Sequence, residues 1–337
     1  MRVRLPVAVA IALTTTSFTL PNAAARTATA QQPDELVLTM AATGNGATVV
    51  KGTVQGPANT TFTVELYNPS SCMDPNPPEA FGSFDVTTDG SGSASFVSAV
   101  NEEVLPGSGM TAETDSMLWN CVTVVSDSAP PTVSIGDLPT FQTETSFPVT
   151  WAGSDPSGVS FHVLVRQAAF NQGFGDQQAF AMNVTTTSET FTGKPGMTHC
   201  FEVVATDPLG NSSSTDEECT AVLVDDASMK HRKGFKQRTG GDHFMGTFSW
   251  ARRKGATLIR SGVQADQLAL LIDRCKRCGK VRVTFPGVKR KVSLKGPKDT
   301  QILVLLGDLS SRTPGTLRVK SLTKRPVRVD GVGVSAV

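Results

Sequence analysis

The sequence predicts an all-β protein: tandem immunoglobulin-like or fibronectin-type-III-like sandwiches followed by a jelly-roll-like sandwich. Short runs with alternating apolar and polar residues recur along most of the chain, which is the signature of half-buried strands. Turn residues such as Gly44-Asn45-Gly46, Gly56-Pro57 and Asp89-Gly90-Ser91-Gly92 separate the runs, supplying the positive or fixed φ angles that tight reversals need. No stretch of helical period interrupts the pattern, and regular short strands with frequent turns argue for sandwiches.

The start of the chain sets the compartment. Arg2 and Arg4 precede a short apolar run at 7–13, and small residues follow at Ala23-Ala24-Ala25, the pattern of a secretory signal peptide over residues 1–25. The run is far below the roughly 20 residues that span a bilayer. The expectation is therefore an extracellular protein without a membrane span. About 310 residues remain after cleavage, enough for two or three domains at roughly 100–200 residues each. Three are expected, at 34–128, 129–228 and 229–337.

In the first, the alternating runs lie at 35–38, 47–50, 61–66, 94–97 and 122–125. Ala129-Pro130-Pro131 then reads as a stiff connection, because proline fixes φ and removes a donor. The second has candidate strands at 132–135, 147–151, 160–166, 179–184, 189–191 and 200–205, with Trp151 as its large core residue. In the third, eight strands are expected at 246–250, 256–260, 268–272, 280–285, 291–295, 301–306, 316–320 and 327–334, with Pro286-Gly287 as the clearest turn. The 268–272 run is apolar throughout and fits either a strand or a helical turn.

Near-neutral total charge hides a division. Residues 26–228 hold 24 acidic against 4 basic residues, whereas 229–337 hold 6 against 25, giving −20 and +19. Such asymmetry informs about partners rather than fold. On the basic segment, Val281, Val283, Leu317, Val319, Val327 and Val329 point one way along their strands. Arg282, Arg318, Lys320 and Arg328 then point the other way, with Lys289, Arg290 and Lys291 beside the Pro286-Gly287 turn extending the face. These seven residues are the candidate contacts for an anionic polysaccharide or cell-wall polymer; nucleic acid fits the expected compartment poorly.

Six cysteines fall as three sequential couples, Cys72 with Cys121, Cys200 with Cys219 and Cys275 with Cys278. In an exported chain they are expected to form one disulfide per domain, although six cysteines allow 15 pairings. Cys275-x-x-Cys278 also admits a redox motif or half a zinc site. The first would open a helix that nothing here predicts, and the second needs two further ligands.

No assembled nucleophile, base and oxyanion set, Gly-rich phosphate loop or metalloprotease helix occurs, so neither catalysis nor a cofactor or metal is expected. His162, His199, His231 and His243 read as packed or solvent-facing strand residues. The turns at Asp155, Asp207 and Asp225-Asp226 lack calcium-loop spacing and suit ordinary turn chemistry.

Two stretches resemble known modules. Gly52-Thr53-Val54, the run from Pro57 to Tyr67, Cys72 and Val86-Thr87-Thr88-Asp89-Gly90 resemble an immunoglobulin-like repeat of secreted proteins in high-GC Gram-positive bacteria. Asp115 to Trp119 stands where that repeat has a Gly-Asn-containing strand. The second region, with Trp151, Gly158-Val159, Cys200-Phe201-Glu202-Val203 and Asp207-Pro208-Leu209-Gly210-Asn211, is similar to fibronectin-type-III or immunoglobulin-like modules of the same proteins. Cys275 to Val281 and Val327 to Val332 resemble the β-domain that often follows them. The resemblance implies spacing, adhesion or glycan binding and transfers no catalytic residue, because such sandwiches host unrelated roles.

Overall fold

The computed structural model describes residues 33–74, 79–114 and 120–337. The expected signal peptide and the Asp115 to Trp119 departure lie outside the described residues. Strands dominate, and the only helical turns among the described residues are two short 3-10 segments, so the all-β expectation holds.

Seven strands form the N-terminal sheet: β1 (Glu35–Gly44), β2 (Ala47–Gln55), β3 (Thr61–Tyr67), β4 (Gly82–Thr87), β5 (Ser93–Val100), β6 (Gly109–Glu113) and β7 (Cys121–Ser126), in the order β4-β3-β6-β7-β1-β2-β5. Strict alternation makes β3 half-buried, with Phe62, Val64 and Leu66 inside and Thr61, Thr63 and Glu65 outside. The sheet folds over a core of Leu36, Leu38, Val50, Val64, Leu66 and Met110. Its edges approach where the Phe84 and Phe96 rings lie 5.1 Å apart. Strands β4 and β6 escape a sequence reading because their apolar residues are few and short-ranged.

The central sandwich comprises β8 (Thr132–Ile135), β9 (Phe141–Gln142), β10 (Ser146–Ser154), β11 (Ser160–Ala169), β12 (Gln178–Val184), β13 (Ser188–Thr192), β14 (Met197–Thr206), β15 (Ser212–Ser214) and β16 (Glu218–Val222). A three-stranded sheet, β13-β10-β8, faces β12-β11-β14-β16-β9. Between them pack Trp151, Phe147, Phe161 and Phe201. Trp151 is 3% exposed and donates its indole N–H to the Thr186 carbonyl at 2.8 Å, which fits the core role expected of it.

The C-terminal sheet has nine strands: β17 (Val224–Asp225), β18 (Lys230–Arg232), β19 (Lys236–Thr239), β20 (Thr247–Ala251), β21 (Thr257–Arg274), β22 (Lys280–Phe285), β23 (Val288–Ser293), β24 (Asp299–Ser321) and β25 (Val327–Ser335). Its path runs β19-β20-β25-β21-β24-β22-β23, with β17 on β25 and β18 on β21. Two differences from the sequence reading stand out. The separate strands expected at 256–260 and 268–272 are one strand, β21, and those at 301–306 and 316–320 are one strand, β24. Register shifts along the β21–β24 pair bend them without ending them, as β-bulges do. The strand expected at 291–295 instead begins at Val288, directly after a two-residue turn at Pro286-Gly287, where Gly287 takes φ 77°.

The 268–272 run is strand, and its lack of period has a cause. Leu268, Leu270 and Ile272 enter the core of the C-terminal sheet, while Ala269 and Leu271 enter the core of the central sandwich beside Phe141, Leu223 and Phe244. A strand buried on both faces reads as continuously apolar. Strand β25 is likewise buried on both faces beyond Arg328, and a Cβ at Gly333 would lie 2.6 Å from the Phe141 ring. The central sandwich and the C-terminal sheet therefore share one apolar seam. The N-terminal sheet meets the central sandwich through a smaller cluster, in which Ala42, Val49 and Leu209 are buried, and through Asn45, which donates to the Leu209 carbonyl at 2.8 Å.

Candidate functional site

All three expected disulfides are formed, Cys72–Cys121, Cys200–Cys219 and Cys275–Cys278, and no described cysteine is free. Cys275 and Cys278 close a turn after β21 and no helix follows, so the structural reading of this couple is the one the fold supports.

The basic face is built by register. Strands β22 and β23 bury Val281, Val283, Phe285, Val288 and Val292 in the core, which turns Arg282, Thr284, Lys289 and Lys291 outward. On β24 the same alternation buries Leu317 and Val319 and exposes Arg318 and Lys320. Pairing then aligns two rows across five strands, β23-β22-β24-β21-β18. One row is Lys291, Arg282, Lys320, Thr257 and Arg232; the other is Lys289, Thr284, Arg318, Ile259 and Lys230. With strands about 4.8 Å apart, each row spans roughly 20 Å, and the rows lie about 6.8 Å from each other along the strands.

Seven cations stand in these two rows. Three ion pairs occur among the described residues, and none involves any of the seven. Lys291, Arg282 and Lys320 are direct cross-strand neighbours, an arrangement that opposes stability. Lys230 and Arg232 escape the sequence reading because β18 is only three residues long. Its signal is the alternation Lys230-His231-Arg232, in which His231 turns inward to within 2.6 Å of the Ser249 hydroxyl.

Two predicted residues leave the face. Arg290 has the parity of buried Val288 and Val292, and its guanidinium donates to the Leu306 carbonyl at 3.0 Å. Arg328 lies on β25, away from the rows, 3.4 Å from the Asp273 carboxylate and over the Phe248 ring. Strand alternation assigns a side chain to a face of its own strand, but not to a neighbour, and β25 is not beside β22 or β23.

Next to Arg328 is a buried polar cluster that the sequence reading did not anticipate. Asp273 and Asp330 are each 1% exposed. His243 Nε2 lies 3.0 Å from Asp273 Oδ2, and Asp330 Oδ2 accepts the Phe244 N–H at 3.2 Å. Burial raises the Asp330 carboxyl to about 7, with the neighbouring Asp273 and Asp226 charges adding to the rise against the Phe244 N–H and His243. Nearby Asp226, fully buried, accepts from Ser249 at 2.6 Å and Thr247 at 2.7 Å; burial raises its carboxyl too. No spacing signal exists for this group, whose members sit at 243, 273 and 330 on three separate elements.

Two of the three Asp-rich turns, at Asp155 and Asp207, come together with Asp127 at the seam between the N-terminal sheet and the central sandwich, one carboxylate oxygen of each within 4.8 Å. Asp207 accepts from the Leu209 and Asn211 amides, both at 2.9 Å, and Asp155 from the Ser157 amide at 2.7 Å, which is the turn chemistry expected of them. His162 lies 2.6 Å from the Asn183 carboxamide, and His199 packs against the Phe191 ring.

No protein-family model matches the chain, and no curated protein matches it. Among solved structures it is similar to fibronectin(III)-like modules of Clostridium thermocellum CbhA, at 15% identity over 59% of this chain and 98% of that one, TM-score 0.23. It is also similar to chicken CNTN1 FN1–FN3 domains, at 10% identity over 91% and 100%, TM-score 0.25. A third is an exo-β-1,3-galactanase from Phanerochaete chrysosporium with galactose, at 11% identity over 90% and 82%, TM-score 0.28. These likenesses are too distant to bring a function across. No helix among the described residues is long and apolar enough to cross a membrane.

Proposed function

We propose that this chain is an extracellular, non-catalytic binding protein whose C-terminal sheet holds an anionic polysaccharide or cell-wall polymer across its basic rows. The single observation that carries the reading is the pair of cross-strand rows, in which Lys291, Arg282 and Lys320 stand side by side with no acidic partner. Like charges directly opposite each other weaken a sheet, so the arrangement is explained by a ligand that supplies the missing negative charge at intervals. A purely structural spacer requires no such face. The acidic segment 26–228, with net charge −20, repels the same polymer and confines contact to the C-terminal sheet.

The test uses the full chain, because the C-terminal sheet shares its core with the central sandwich. Retention on immobilised polyglycerol phosphate and polyuronate is measured for the wild type, for an R282A/R318A/K320A variant and for R290A, as salt rises from about 0.1 to about 1 M and the Debye length falls from about 10 to about 3 Å. Wild type and R290A are expected to bind at low salt and elute as it rises, while the triple variant fails to bind. Retention indifferent to both salt and the triple substitution refutes the basic-face mechanism. Stronger retention on duplex DNA than on either polymer overturns the assignment of ligand.

A further inference from the structure

His243, Asp273 and Asp330 meet beneath the seam between the central sandwich and the C-terminal sheet. Asp273 lies near the end of β21 and Asp330 in the middle of β25, while His243 precedes the turn Phe244–Gly246. Both carboxylates are 1% exposed, and the imidazole is 9% exposed. A potential ligand atom from each falls within 4.8 Å of the others. Asp273 Oδ1, Asp330 Oδ1 and His243 Nδ1 have no hydrogen-bond partner. Two carboxylates held together out of water are costly unless a proton neutralises one of them or a cation is shared between them. Arg328 supplies only part of that cation: its guanidinium is 40% exposed and reaches one Asp273 oxygen at 3.4 Å, longer than a good charge-assisted bond.

We infer that His243, Asp273 and Asp330 form a binding site for a divalent transition-metal ion of the zinc class. The imidazole Nε2 and one oxygen from each aspartate make three protein ligands, and zinc accepts such a set together with a solvent ligand. An imidazole in the set disfavours calcium and magnesium, which take oxygen ligands. Thiolates do not compete, since every described cysteine is in a disulfide.

The surroundings bring a cavity up to the histidine and hold its ring in place. His243 also lines a cavity of about 310 Å³ shared with Glu144 and Thr145 of the central sandwich and with Met245 and Gln301. Met245 and Gln301 both adopt φ 53°, a left-handed conformation that bulky residues rarely take and that persists where the surroundings impose it. The His243 ring stacks on Phe248 at 4.3 Å, and a Cβ at Gly240 would come within 2.5 Å of Nδ1. Glycine at 240 is thus what lets the ring sit against the loop. This site does not depend on the polymer reading.

The experiment uses the full, untagged chain stripped with a chelator and titrated with Zn²⁺, Ca²⁺ and Mg²⁺ by calorimetry, with elemental analysis and thermal denaturation of each sample. The wild type is expected to take up about one Zn²⁺ with a raised midpoint, because a ligand that binds only the folded state stabilises it; Ca²⁺ and Mg²⁺ at the same concentration leave it unmoved. D330N and H243Q, checked for folding by circular dichroism without metal, are expected to weaken Zn²⁺ binding by about tenfold or more. H162Q binds as the wild type does. R328Q, which leaves all three ligands in place and removes the competing charge, binds more tightly. A folded wild type that takes up no Zn²⁺ overturns the assignment, as does binding at full strength in both D330N and H243Q, or Ca²⁺ bound as tightly as Zn²⁺. If both ligand variants fail to fold, R328Q and Co²⁺ loading of the wild type decide. Weaker binding in R328Q, or a Co²⁺ spectrum without protein nitrogen and oxygen ligation, refutes the site.

Discussion

Replacing Leu271 with alanine tests whether the central sandwich and the C-terminal sheet are one energetic unit. Leu271 belongs to a strand of the C-terminal sheet, yet it is 0% exposed within the cluster of Phe141, Leu223 and Phe244. The substitution removes three carbons, about 2.4 kcal/mol of transfer free energy at about 0.8 kcal/mol for each buried methylene. The cavity left behind adds to this, and buried Leu→Ala changes cost about 2–5 kcal/mol in total. A loss of about 3 kcal/mol in a cooperative unit of this size lowers the midpoint by about 10 °C. Scanning calorimetry gives the midpoint, and hydrogen exchange followed by mass spectrometry shows where protection is lost. If the shared seam couples the two, amides around Phe201 in the central sandwich and around Val329 in the C-terminal sheet lose protection together. A transition in which the C-terminal sheet melts early while the Phe201 region keeps its wild-type protection would refute the coupling.

Two further outcomes concern His199 in the central sandwich and the disulfide of the N-terminal sheet. His199 is fully buried with neither ring nitrogen hydrogen-bonded, and desolvation holds its pKa down to about 4 from 6.5. The unfolded chain therefore binds a proton that the folded one refuses, so stability is whole above pH 6.5 and falls as pH drops towards about 4. The loss approaches about 3 kcal/mol at about 1.4 kcal/mol per pH unit. Urea denaturation of wild type and H199L across that window checks it, and an equal acid loss in both proteins rules His199 out as the cause. The Cys72–Cys121 bridge closes a loop with a sequence separation of 49, worth about 4 kcal/mol to the N-terminal sheet on the chain-entropy account. Because Cys72 is exposed, C72A/C121A removes little packing at that end. Chemical denaturation should show the N-terminal sheet weakened by that order, and an unchanged midpoint would contradict the account.

What the sequence determined by itself is local. Period-two alternation is written into each strand, so the all-β class, the inward Val281 and Val283, the outward Arg282 and Lys320, and the Pro286-Gly287 turn are all legible without a structure. The cysteine couples are legible as well, because sequential pairs in a chain expected to be exported point to bridges within each segment. Only the tertiary structure decided which strands are neighbours. Alternation fixes the face on which a side chain stands but carries no information about the strand beside it, which is set by contacts distant in sequence. That is why β18 adds Lys230 and Arg232 to the rows while Arg328 pairs instead with Asp273. It is also why 268–272 lacks a period: the run packs against two cores at once, and the second belongs to a different part of the chain. His243, Asp273 and Asp330 leave no trace in any window of sequence, since the bends of β21 and the placement of β25 bring them together. Burial then gives those three their chemistry, because a carboxylate is an ordinary surface group until the fold takes it out of water and leaves one of its oxygens without a partner.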